Sequence, residues 1–128
     1  MCTEIFIPFS NYFTGLRIIT LNINGLNNKM KQLHLIEFIK QNKLDVIMLQ
    51  EHNIRDRNIL CKELLDAFHV FINLSVNQKG GAAIIFNKKL NINYISDEMS
   101  ADSRIVSVKI KLYNTLLHFV NIYAPSGS

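Results

Sequence analysis

The chain has only two cysteines in 128 residues, Cys2 and Cys61, and no Cys-x-x-Cys pair. That excludes a disulfide framework and a cysteine zinc site, and it fits a reducing, intracellular compartment, nuclear or cytoplasmic. No stretch reaches the ~18 consecutive apolar residues of a membrane span, so no membrane role is expected. The opening MCTEIFIPFSNYF is apolar, yet it lacks an early positive charge, carries Glu4, and is interrupted by Pro8 and Asn11. It therefore does not read as a secretory signal. Internal repeats, low-complexity segments and linkers are also lacking. Residues 1–15 read as a leader outside the domain, and residues 16–128 as one domain.

What is there suits a packed core. The composition is 48% hydrophobic and 19% charged, which is globular and not disordered. The net charge of +4 is compatible with a polyanionic partner. Lysine and arginine are scattered, with only Lys88 and Lys89 adjacent, so a solvated basic surface accounts for the charge equally well.

Residues 16–23, LRIITLNI, read as a strand. A helical period over 29–42 follows, with Leu33, Ile36 and Ile39 on one stripe and Lys31, Glu37 and Lys40 facing away. LDVIMLQ, residues 44–50, is a short continuous apolar run, as in a parallel strand covered on both faces. Strand, helix and strand make a βαβ unit. A second helical period spans 57–68, with Cys61 as a small core residue. HVFINL (69–74) and AAIIFN (82–87) read as strands, the second fed by a turn at NQKGG. From Arg104 to Tyr123 two alternating segments, 105–112 and 116–123, turn at YNT into a hairpin. The expected fold is α/β with a mixed sheet: strands in βαβαβ order followed by an antiparallel hairpin. Two helices can cover only one face of such a sheet, so the other face is expected to be open.

The polar residues stand at strand ends. Asn22 and Asn24 close the first strand, and Glu51 closes the second. Parallel strands of a βαβ unit end on the same edge, where ligands of open α/β sheets bind. One carboxylate with amide oxygens is hard-ligand chemistry suited to Mg²⁺. Asn-x-Asn-Gly is equally good turn chemistry, and Glu51 equally a solvated loop residue. The residue types alone leave both readings open.

LNINGL, LDVIMLQE, GGAAIIF and VNIYAP resemble, in order and spacing, the endonuclease/exonuclease/phosphatase superfamily. They are most similar to the apurinic/apyrimidinic-type endonuclease domain of non-LTR, LINE-like retrotransposons. The resemblance runs from about residue 16 to 128. It implies half of a four-layer α/β-sandwich and metal-assisted phosphodiester hydrolysis on DNA, with Mg²⁺ as cofactor and Mn²⁺ as a substitute. It implies Glu51 as the principal metal ligand with Asn24 beside it, Asn22 at the scissile phosphate, and Tyr123 as a phosphate-contacting hydroxyl. His52 follows Glu51 where many relatives have threonine; it is either a phosphate contact or a tolerated surface residue. His118 reads as structural, and His34 and His69 match nothing in the family.

The chain also departs from that family. No Gly-Asp pair occurs, so the Gly-Asp-x-Asn motif with its water-activating aspartate is not found. SDE at 96–98 ends on Glu98 where the family's Ser-Asp-His has histidine. The chain is therefore expected to be the N-terminal half of the fold, inactive alone, with its open sheet face available for self-association. Three other readings stand beside a nuclease: a non-catalytic remnant or interaction module, a phosphatase-type relative, and an unrelated flavodoxin-like module. The last is disfavoured because no glycine- or hydroxyl-rich phosphate loop follows the first strand.

Overall fold

The strand β2 (Leu16–Asn22) and the strand β3 (Val46–Gln50) lie side by side and parallel, with Ile18 opposite Val46 and Asn22 opposite Gln50. The helix α1 (Lys29–Gln41) makes the crossover between them. Asn28 caps α1, its Oδ1 accepting from the Lys31 N–H at 2.9 Å. This computed structural model describes residues 2–8 and 15–124.

Three further strands complete the sheet: β1 (Cys2–Ile7), β4 (Phe68–Asn73) and β5 (Ala82–Asn87), in the order β1-β2-β3-β5-β4. β1 pairs antiparallel with β2, so residues 2–7 are an edge strand and not a leader. The leader reading for residues 1 and 9–14 lies outside the described residues. β5 is antiparallel to both neighbours and separates β3 from β4.

A second, antiparallel sheet, order β6-β7-β8, holds β6 (Asn93–Met99), β7 (Ile105–Leu112) and β8 (Thr115–Ile122). The turn between β7 and β8 places Tyr113 and Asn114 both at positive φ, the geometry of a two-residue hairpin turn. β6 was not legible as a strand. It is an edge strand with most side chains in solvent, and Asp97 and Glu98 break any apolar alternation.

The strands of the first sheet alternate strictly between two cores. Ile19, Ile47, Leu49, Ala83 and Ile85 face α1 and the short helix α2 (Lys62–Ala67). Leu16, Ile18, Val46, Ile84 and Phe86 face Val106, Val108, Ile110, Leu112 and Phe119 of the second sheet. The open face expected from the sequence is therefore covered by residues 93–122, which form their own sheet and do not extend the first. What stays exposed is the outer row of that second sheet: Ile105, Leu116, Val120 and Ile122.

The helices differ in detail from the sequence reading. The buried stripe of α1 is Gln32, Leu35, Ile36 and Ile39, while Phe38 is exposed. The 57–68 helix is split into a 3₁₀ turn at Arg57–Ile59 and α2. Asp56 caps the turn, and Leu60 and Cys61 adopt extended backbone between the two pieces. Cys61 is thus a half-buried residue at the start of α2, its N–H donating to Gln32 Oε1 at 2.7 Å.

Candidate active site

The parallel pairing of β2 and β3 brings Asn22 and Glu51 together across 29 residues of sequence. Asn22 Nδ2 donates to Glu51 Oε2 at 3.1 Å. Asn22 Oδ1 accepts from the Asn24 N–H at 3.2 Å, so Asn24 joins the group through its backbone. The chain leaves both strands under strain. Asn24, Glu51 and Asn53 all sit at positive φ, from 49° to 62°. A non-glycine residue held there costs about 1–3 kcal/mol and persists only where its surroundings impose it. Backbone bonds impose it here: Glu51 N–H to the Gly81 carbonyl, Gly25 N–H to the Glu51 carbonyl, and Asn53 N–H to the Gly80 carbonyl.

Tyr123 arrives from the end of β8. Its N–H donates to the Arg104 carbonyl at 2.7 Å. Together with Glu51, Lys79, Gly80, Asp102 and Arg104 it lines a cleft of about 730 Å³. It also lines, with Asn22, Thr20 and Gln50, an adjoining groove of about 550 Å³. Loss of solvent pushes the Tyr123 phenol above its ordinary range, and the Glu51 charge adds to this, while Arg104 pulls it down. The hydroxyl therefore keeps its proton at neutral pH and can donate to an anionic oxygen. Of the expected residues, Asn22 and Glu51 lie at one edge of the first sheet with Asn24 beside them, and Tyr123, arriving from the second sheet, lines a cleft with each of Glu51 and Asn22.

His52 is a correction. It is fully buried, and both ring nitrogens are occupied. Nδ1 accepts from the Ile54 N–H and Nε2 donates to the Asn73 carbonyl, each at 2.9 Å. Burial lowers its pKa, keeping the ring neutral. Gly81 has φ +88° and lies flat against that ring, where any side chain would collide with it. His52 therefore builds the loop and cannot reach a phosphate. His118 stands on the outward face of β8 with Nε2 2.6 Å from Ser107 Oγ.

Two residues not singled out from the sequence shape the site. Asn121 is buried between the sheets. Its Nδ2 donates to the Leu49 and Ala83 carbonyls at 2.8 and 2.9 Å, and its Oδ1 accepts from Gln50 Nε2 at 2.6 Å. The signal for it is an asparagine at the inward parity of β8, between Phe119 and Tyr123. Arg104 immediately precedes β7 and supplies a cation to the cleft.

Glu51 is a single carboxylate with amide oxygens near it. Among the described residues, no group of three or more histidine, cysteine or acidic side chains comes together. The donor set fits a hard divalent ion that keeps several waters.

No protein-family model matches the chain. An exodeoxyribonuclease of Bacillus subtilis (strain 168) is 23% identical over 116 residues, covering 88% of this chain and 44% of that protein. Among solved structures, an AP endonuclease from Archaeoglobus fulgidus superposes with a TM-score of 0.66 at 21% identity, over 88% of this chain and 42% of its own. D. rerio TDP2, complexed with single-strand DNA product, superposes with a TM-score of 0.63 at 18% identity, over 82% of this chain and 44% of its own. The chain thus spans less than half the length of these relatives, and over that span it has the fold of the two solved structures.

Proposed function

We propose that this chain carries one part of a Mg²⁺-dependent DNA phosphodiester-hydrolysing site of the retrotransposon endonuclease type. The observation that supports it most is the Asn22–Glu51 hydrogen bond, which couples the ends of two parallel strands beside a tyrosine hydroxyl. Glu51 would hold the metal, with Mn²⁺ as a substitute, and Asn22 would keep that carboxylate oriented. Bound there, the ion would polarise a phosphoryl oxygen and steady the departing 3′-oxygen. Tyr123 would donate to a non-bridging phosphate oxygen and Arg104 would offset charge on it. The retrotransposon type rests on the four sequence motifs and their order.

The group that activates water belongs, in this reading, to residues other than those at Glu51. The chain alone would then bind metal and DNA without nicking. The outer row of Ile105, Leu116, Val120 and Ile122 offers a surface for another segment or a second copy.

Mn²⁺ titration followed by NMR tests the assignment without needing activity. Paramagnetic broadening is expected at the side chains of Asn22 and Tyr123, and it should vanish in Glu51→Gln. Broadening centred on Asp97 or Asp102, or unchanged in Glu51→Gln, overturns it.

A further inference from the structure

At the far end of β3 from Glu51, a second cleft of about 770 Å³ opens between the C-terminal end of α1 and the turn after β5. Four lysines rim it: Lys40 and Lys43 from α1 and its exit, and Lys88 and Lys89 from the turn. All four are exposed. None forms an ion pair with a carboxylate among the described residues; Lys88 Nζ donates to the Leu65 carbonyl at 2.8 Å. The one acidic residue in the lining is Asp45, half-buried and bound to the Arg17 N–H at 2.8 Å. Burial, above all, raises the Asp45 pKa. The cleft thus holds three surplus positive charges of a chain whose net charge is +4. The Glu51 cleft, lined by Glu51, Asp102, Lys79 and Arg104, has none. Four of the ten lysines scattered along the sequence are gathered by the fold at this pole.

We infer that this lysine-rimmed cleft binds the phosphate backbone of nucleic acid as a contact separate from the Glu51 site. The chemistry selects that partner. The rim is all lysine, a mobile point charge that follows a run of phosphates without reading bases. No buried polar side chain points into the cleft to build a pocket for a small anion. Of its apolar lining, Ile39, Leu44 and Phe68 are almost fully buried and Ala67 is half-buried, so the charge stands at the rim and not in the floor. About six residues of β3 and its flanks separate the two clefts, ~20 Å at strand rise. One phosphate cannot touch both, so the lysines grip backbone away from any bond at Glu51.

Fluorescence anisotropy of the full chain with short duplex DNA, across a salt series, tests this. Each lysine–phosphate contact contributes about 0.9 to the slope of log K against log salt. Replacing Lys40, Lys43, Lys88 and Lys89 together by glutamine is expected to flatten that slope by about three to four and to weaken binding at ~50 mM salt by at least ~10-fold. Because Lys88 also braces Leu65, the variant Lys40→Gln/Lys43→Gln/Lys89→Gln is measured beside it; it should flatten the slope by about two to three. Unchanged slope and affinity in both variants overturn the inference. So does Arg104→Gln, at the other pole, removing the whole slope. Tighter binding to phosphatidylserine-rich vesicles or to polyglutamate than to DNA, lost in the same variants, reassigns the cleft and overturns it as well. The readout is binding, so its failure leaves the Glu51 proposal standing, and the Mn²⁺ experiment leaves this one standing.

Discussion

The two faces of the first sheet are fastened by the same device at different reach. On the helix face the core is almost wholly aliphatic, and one buried amide, Gln32, makes three hydrogen bonds. Its partners are Leu26, Ile59 and Cys61, 6 to 29 residues away. On the seam between the sheets the core is also mainly aliphatic, but it holds an aromatic cluster: Phe86 meets Phe71 and Phe119 edge-on, at centroid distances of 5.7 and 5.3 Å. Two buried amides serve it: Asn121 makes three bonds to partners 38 to 72 residues away, and Asn73 donates to the Ser100 and Ile105 carbonyls. The helix face closes with short loops, whereas the seam needs the chain's distant part in place. Long-range closure of this kind is slow and entropically costly. The Glu51 site depends on the seam, because Tyr123 follows Asn121 by two residues and its ring lies against Gly80.

The sharpest way to break that comparison is to remove each amide in turn. Asn121→Ala removes its donor from two strand carbonyls in the interior and one of the three acceptors of Gln50 Nε2, and should cost about 3 kcal/mol. Gln32→Ala should cost about 2 kcal/mol, since its partners lie in loops nearer water. Urea midpoints at unchanged m-value measure both. Only Asn121→Ala should also erase the ring-current shift of Tyr123 on the Gly80 amide. Equal costs, or a Gly80 shift lost in Gln32→Ala, would mean that the seam has no special hold on the site.

Acid should act through the seam next. His52 donates to the Asn73 carbonyl, and Asn73 Nδ2 donates on to the Ser100 and Ile105 carbonyls at the edge of the second sheet. Burial depresses the folded pKa of His52 below the ordinary imidazole value of 6.5. Above that value neither the folded nor the unfolded chain carries the proton, and stability is whole. As pH falls below it, the unfolded chain takes up a proton that the folded chain refuses. Stability then declines by at most about 1.4 kcal/mol per pH unit until the folded pKa is reached. Chemical denaturation of wild type and His52→Gln between neutral pH and about 5.5 isolates this slope. An identical pH dependence in the two proteins would remove His52 from the account.

The smallest expected effect is a gain. Glu51→Gly relieves the positive φ at that position but loses the bond from Asn22. The net should be about +0.5 to 1 kcal/mol in stability, with metal binding abolished. Thermal unfolding checks it. A clear loss of stability would show that the carboxylate braces the edge and is not held there against strain.

Much of the fold was legible. The apolar runs of 44–50 and 82–86 announce strands buried on both faces; the first begins at Val46, and Ile47 and Val46 do lie in opposite cores. The hairpin at Tyr113–Asn114 and the convergence of Asn22 with Glu51 follow from local pattern and parallel pairing. Other features were not legible, for stated reasons. Cys2–Ile7 has no periodic burial, because an edge strand leaves its side chains in solvent. His52 reads as a surface residue because its two partners, Ile54 and Asn73, include one 21 residues away.

The sequence by itself determined the local choices: which segments are extended, where asparagine and glycine break them, and which strand ends carry a carboxylate or an amide. These depend on neighbours one to four residues apart. Only the tertiary structure decided that residues 93–122 close over the first sheet, that Asn121 rather than an apolar residue locks the seam, and that Lys40, Lys43, Lys88 and Lys89 share one cleft. Side-chain parity in a strand names the face but not what covers it, and charges far apart in sequence acquire a common field only when the chain folds them to one pole.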